Sequence, residues 1–134
     1  MAENFNVEVV TPTSLKTFDD VRHVRAPGLD GSFGILARHI PAIIALKPGE
    51  LKIESADHQQ LLAISEGYCE IQRERILLLV ETAELPEDID VERAQTALER
   101  AQKMLSDRSE NLNRDRAKAA ISRAKNRLRI AKRK

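Results

Sequence analysis

Five arginines in the C-terminal part of this chain have the types and spacing to do chemistry. Arg93 and Arg100 are seven residues apart, and Arg116, Arg123 and Arg127 follow at i, i+7 and i+11, so on helices each set shares one face. A guanidinium donates two parallel N–H bonds to a phosphate and keeps its charge, so arginines converging from two helices suit a phosphate-rich anion. The same residues also serve as plain solubilising charges in helix-rich sequence, and spacing by itself favours that use.

Other chemistry is poorly represented. Gly28-Leu-Asp-Gly31-Ser-Phe-Gly34 has the look of a phosphate loop, but no helical period follows it, Pro41 comes soon after, and there is no Gly-Lys-Ser/Thr; it reads as a turn. His23, His39 and His58 stand apart from one another with no metal-ligand spacing, so no metal site is expected. Cys69, the single cysteine, lies in a strand pattern and is expected to be a buried, inert thiol. Ser65-Glu66-Gly67 lacks the surroundings of a nucleophile elbow. No catalytic constellation supports an enzyme.

The elements that must position the arginines begin at a compositional edge. All five glycines, all five prolines and all four aromatics lie at or before Pro86. Residues 1–86 carry 8 Lys+Arg against 13 Asp+Glu, whereas residues 87–134 carry 14 against 8. Such asymmetry marks two physically different regions and an interaction surface.

Residues 1–86 read as short strands between turns, the pattern of a β-sandwich or barrel. Phe5, Val7 and Val9 alternate up to Thr11-Pro12-Thr13; Val21, His23 and Arg25 alternate before a turn at Pro27-Gly28. Leu51 and Ile53, Leu61 to Ile64, and Tyr68 to Ile71 continue the series, and the Leu-rich Ile76 to Val80 run reads as a strand buried on both faces. After Pro86 the period lengthens. Ala94, Ala97, Leu98, Ala101 and Leu105 form one helical stripe, with Asp88 or Asp90 as its cap, and Ala117, Ala120, Ile121, Ala124, Leu128 and Ala131 form a second. A polar break at Ser106 to Asn111 makes them an antiparallel hairpin. Stripes made mostly of alanine bury little area, so such a hairpin docks weakly and reversibly.

The lone cysteine, the absence of a signal-peptide pattern in MAENFNVEVV and the short apolar runs point to an intracellular soluble chain. Residues Leu112 to Lys134 hold ten Lys+Arg and only Asp115 as an acid. That tail keeps a nucleic-acid-binding module open as an alternative, although no aromatic is there to stack bases and an acidic protein surface fits as well.

Taken together, the chain resembles the epsilon subunit of the F-type ATP synthase over nearly its whole length. The segments that carry the resemblance are Gly31-Ser-Phe-Gly34-Ile-Leu-Ala-Arg-His39-Ile-Pro41, Lys47-Pro48-Gly49, Ile64-Ser-Glu-Gly67-Tyr-Cys-Glu-Ile71, Val80-Glu-Thr-Ala83-Glu84 and Asp88-Ile-Asp90-x-x-Arg93-Ala94, with Ala37 where the family usually has proline. The resemblance implies a non-catalytic rotor subunit. Its N-terminal β-sandwich, residues 1–86, would dock on the gamma subunit and the c-ring. Its C-terminal two-helix hairpin, residues 87–134, would permit ATP hydrolysis when folded and block it when extended toward the alpha and beta subunits. The complex would hold it peripherally at the cytoplasmic face of a plasma membrane, or at a plastid thylakoid. In several bacterial members the folded hairpin binds ATP through a motif that Ile89-Asp90-Val91-Glu92-Arg93-Ala94 matches in full. By the same resemblance Glu84, Asp90, Arg93, Arg100, Arg116, Arg123 and Arg127 would hold ATP, with or without Mg, as a regulatory ligand. The plainer role for Asp90 is a helix cap.

Overall fold

A computed structural model describes residues 4–37, 39–106 and 114–133. It contains the expected two parts: a β-sandwich built from nine strands, followed by two helices. Contacts divide the chain into Met1–Glu84 and Leu85–Lys134.

The strands are β1 (Phe5–Val10), β2 (Leu15–Gly28), β3 (Gly31–Leu36), β4 (Ala42–Leu46), β5 (Gly49–Ser55), β6 (Gln59–Ile64), β7 (Gly67–Ile71), β8 (Arg75–Val80) and β9 (Ala83–Glu84). Pairing runs β1-β8-β7-β4-β2-β5-β6-β9, with β3 on β2 and β1 also on β2. The long β2 strand joins the layers, meeting β1 near its start, β5 in its middle and β3 toward its end. β1 runs parallel to β8 and antiparallel to β2. Alternating side chains then meet in one core, where Val7, Val9, Val21, Val24, Leu51, Leu62, Ile76 and Leu78 are fully buried.

Simple alternation fails along β2 because the strand carries two bulges. Its register slips between Phe18 and Val21 against β1, and again between Val21 and His23 against β5. Asp20 adopts φ 55°, a conformation aspartate tolerates better than most residues. The extra residues change the phase, so Val24 and Ala26 join Val21 in the core while Arg25 stays exposed.

Two further readings need correction. Pro27 and Gly28 belong to β2, and the turn sits at Leu29 and Asp30, closed by the Gly28–Gly31 pair. A Cβ on Gly28 would lie 2.6 Å from the Gly31 carbonyl oxygen, so glycine is needed for this tight closure. The Gly28–Gly34 segment is thus part of a β-hairpin. β8 is buried on one face: Ile76, Leu78 and Val80 point inward, but Leu79 is 44% exposed, because β8 alternates like the strands beside it.

Cys69 lies on β7 with no exposure, and burial pushes its thiol up to about 12. The thiolate is therefore negligible at neutral pH. Under native conditions Cys69 is expected to react with a thiol reagent only as fast as the sandwich opens, and promptly in strong denaturant. Stopped labelling at increasing denaturant checks this.

In the second unit a single 3-10 turn over Pro86–Asp88 leads to α1 (Val91–Ser106) and α2 (Arg114–Ala131). The polar break expected at Ser106 to Asn111 falls almost entirely outside the described residues. The helices pack against each other, and the Arg114 guanidinium reaches the Leu105 carbonyl oxygen, Nη1 to O 3.4 Å. The start of α2 therefore meets the end of α1, which makes the pair antiparallel. Ala94 and Ala101 are buried on α1, with Leu98 and Leu105 half-buried; Ala97, expected in the stripe, is exposed because the contact is narrower. On α2, Ala117, Ala124 and Ala131 are buried seven residues apart.

Candidate functional site

The arginines take their positions from the buried alanines. Four of the five directly precede one: Arg93-Ala94, Arg100-Ala101, Arg116-Ala117 and Arg123-Ala124. A residue step on a helix turns the side chain by about 100°, so each of these arginines stands off to the same side of its helix's packing line. Arg127, three residues past Ala124, returns to that side at about 60° from the line. In an antiparallel pair, equal offsets in the same rotational sense fall on the same side of the seam. All five arginines thus branch from one side of the hairpin seam. The signal in the sequence is a repeated Arg-Ala dipeptide, which points to a shared edge only once the buried alanines are known.

Levels along the seam agree. With the end of α1 beside the start of α2, Arg93 lies at the height of Arg123 and Arg127, and Arg100 lies at the height of Arg116 and Arg123. Arg93, Arg100 and Arg116 are exposed, whereas Arg123 and Arg127 are half-buried. The helical carboxylates Glu92, Glu99 and Asp115 are exposed on the opposite half of the helix surface. Lys118, Lys125, Arg129 and Lys132 also point away from this edge, so one side of the seam concentrates arginine. Glu84 belongs to the other unit, half-buried on β9 opposite Ala63.

Asp90 has a defined structural task. Its Oδ1 accepts the Arg93 backbone N–H at 3.1 Å, and its carbonyl oxygen accepts the Ala94 N–H at 3.0 Å. It is the N-cap of α1, where a carboxylate also complements the helix dipole. Asp90→Ala is expected to destabilise the hairpin by about 1 kcal/mol, whereas Asp90→Asn keeps the acceptor and loses a few tenths. Helical circular dichroism during thermal melting distinguishes the two.

Among the described residues, no group of three or more His, Cys, Asp or Glu could hold a metal ion. Two surface depressions formed by described residues of the sandwich, at the Leu29–Asp30 turn and beside Pro41, Ile43 and Gln72, gather no set of catalytic groups.

Comparison with known proteins gives this architecture a family. Residues 4–86 match the beta-sandwich domain of the ATP synthase delta/epsilon chain, and residues 87–132 match its long alpha-helix domain. The chain belongs to the ATP synthase delta/epsilon family. Within it, the similar curated proteins are ATP synthase epsilon chains. That of Desulforamulus reducens is 37% identical over 131 residues, covering 98% of this chain and 99% of its own. That of Staphylococcus haemolyticus is 41% identical over 127 residues, covering 94% and 95%. That of Desulfosudis oleivorans is 46% identical over 106 residues, covering 78% and 80%. Among solved structures, a chain of the Euglena gracilis mitochondrial ATP synthase superposes with a TM-score of 0.79 at 20% identity, covering 91% of this chain and 78% of that one. That likeness concerns the fold.

Proposed function

We propose that this chain is a non-catalytic central-stalk subunit of a proton-translocating ATP synthase, and that its hairpin is a nucleotide-sensitive brake on ATP hydrolysis. The sandwich, residues 1–86, serves as the fixed part, seated on the gamma subunit and the c-ring. Residues 87–134 are the moving part, which in an extended position reaches the alpha and beta subunits and stops hydrolysis. The complex holds the chain peripherally at the cytoplasmic face of the plasma membrane. Its bacterial relatives support that placement, and among the described residues no helix is long and apolar enough to cross a membrane.

The observation that carries the regulatory reading is the shared arginine edge. Five guanidiniums on one side of a two-helix seam present a dense array of donors to a triphosphate, and Arg93, Arg123 and Arg127 lie at one level. That array exists only while the two helices are paired. ATP bound there favours the folded hairpin by RT ln(1 + [L]/Kd), about 2.7 kcal/mol at a hundredfold excess over Kd. The alanine-lined seam leaves the folded state shallow enough for such a ligand to decide the balance. Asp90 holds the first turn of α1, and with it the backbone that carries Arg93; Glu84 and Arg100 complete the proposed set, and Mg accompanies the nucleotide where the phosphates need further neutralisation.

The experiment is reconstitution of the F1 complex with the full chain and with a chain ending at Pro86. Truncation is expected to raise ATP hydrolysis several-fold while leaving the sandwich bound. Equal hydrolysis by both complexes would remove the brake from this reading. A salt-dependent shift of duplex DNA by the intact chain would instead favour nucleic-acid binding through the basic tail.

A further inference from the structure

His39 lies outside the arginine edge, yet its ring makes an unusual pair of contacts. Nδ1 is 2.6 Å from the Leu36 carbonyl oxygen, and Nε2 is 2.5 Å from the Gln72 carbonyl oxygen. Both partners can only accept. A neutral imidazole donates through one nitrogen and carries a lone pair on the other, so one of the two contacts would set a lone pair against a carbonyl oxygen. The imidazolium donates at both positions and satisfies both carbonyls. The ring is further held edge-on by Phe5, with centroids 5.3 Å apart and planes at 89°.

The two carbonyls belong to different parts of the sheet. Leu36 ends β3, and Gln72 opens the turn between β7 and β8, where its N–H donates to the Arg75 carbonyl oxygen at 2.9 Å. His39 therefore ties the segment after β3 to that turn. Next to it, Ile40 is 82% exposed, and Ile43 at the start of β4 is 73% exposed. We infer that protonated His39 is a clamp that holds this exposed apolar corner of the sandwich in place, and that loss of the ring proton releases the corner from the β7–β8 turn.

The segments packed around the ring also carry charged groups. Glu70 of β7 accepts from the Gln72 side-chain amide, Nε2 to Oε1 3.1 Å. Arg73 and Glu74 occupy the turn itself, and Arg75 of β8 reaches Glu8 of β1, Nη1 to Oε1 3.5 Å.

The test is a pH titration of the intact chain from 5.5 to 8.5 by NMR, following the His39 ring nitrogens together with the Ile40 and Arg73 amides. The clamp predicts that both ring nitrogens carry hydrogen at the acidic end, and that the Ile40 and Arg73 amide signals shift with the same midpoint as the ring. His58, exposed beside Asp57, supplies the control, since its titration should leave those amides unmoved. His39→Gln donates from its nitrogen end only and does not titrate, so it should abolish the coupled step. Ring deprotonation with no movement of Ile40 and Arg73 would overturn the inference, as would a ring with one bare nitrogen throughout while the amides stay fixed.

Discussion

Replacing Gly67 with alanine is expected to destabilise the sandwich by about 3 kcal/mol, a large share of the 5–15 kcal/mol that holds a typical domain together. An added Cβ would lie 1.9 Å from the Leu79 carbonyl oxygen, 2.8 Å from the Val80 Cα and 2.9 Å from the Leu79 carbonyl carbon. All three are backbone atoms of β8, so no side-chain rotation relieves the overlap. The strands must separate where Gly67 pairs with Val80 and Tyr68 with Leu79, next to the buried Cys69–Leu78 pair. With a urea slope of about 1–2 kcal/mol per molar, the unfolding midpoint should fall by about 1.5–3 M. Gly34→Ala is the contrasting case: its Cβ meets the His23 ring, Nε2 at 2.8 Å, and that side chain can turn away. A loss below about 0.5 kcal/mol at Gly67 would mean that β7 and β8 approach less closely than described.

Removing the shared arginine edge is the second large effect. Arg123→Ala and Arg93→Ala are each expected to weaken ATP binding by the isolated chain about tenfold to a hundredfold. The basis is the roughly 1.5–3 kcal/mol carried by a hydrogen bond to a charged group. The double variant should lose less than the sum, because the two side chains meet the same phosphates. Arg129→Ala makes the control. Arg129 points away from the edge and donates to the Asn126 Oδ1 at 2.8 Å, so its loss should leave ATP affinity within about twofold. Calorimetric titration at fixed ionic strength compares the four variants with the wild type. Equal weakening by Arg129→Ala would reduce the effect to net charge.

Much of this arrangement was legible before any coordinates. Strands in which one residue in two is buried, such as Phe5–Val10 and Gly49–Ser55, announced themselves by alternation. Those without it did not: Ala42-Ile-Ile-Ala-Leu46 has no polar partner for its apolar residues, and Gly31–Leu36 opens with a glycine and a serine. The phase of β2 was unreadable, because a bulge depends on what the neighbouring strand offers. Gly67 stands between two strand patterns in the sequence; its role comes from the closeness of β8, a partner that sequence spacing cannot supply. On the hairpin, the alanine stripe and the Asp90 cap followed from local rules. That the two arginine sets share an edge required knowing which alanines are buried. His39 carried no local cue, since the Gln72 carbonyl that it meets lies 33 residues away.

One measurement tests most directly whether the hairpin is a nucleotide sensor. The isolated wild-type chain and its Arg93→Ala variant should be titrated with ATP by calorimetry, with the arginine-edge amides followed by NMR in parallel. Saturable binding at or below millimolar ATP in the wild type, weakened at least tenfold in the variant, is the predicted result. No saturable binding at millimolar ATP, or the same binding in both proteins, would contradict it.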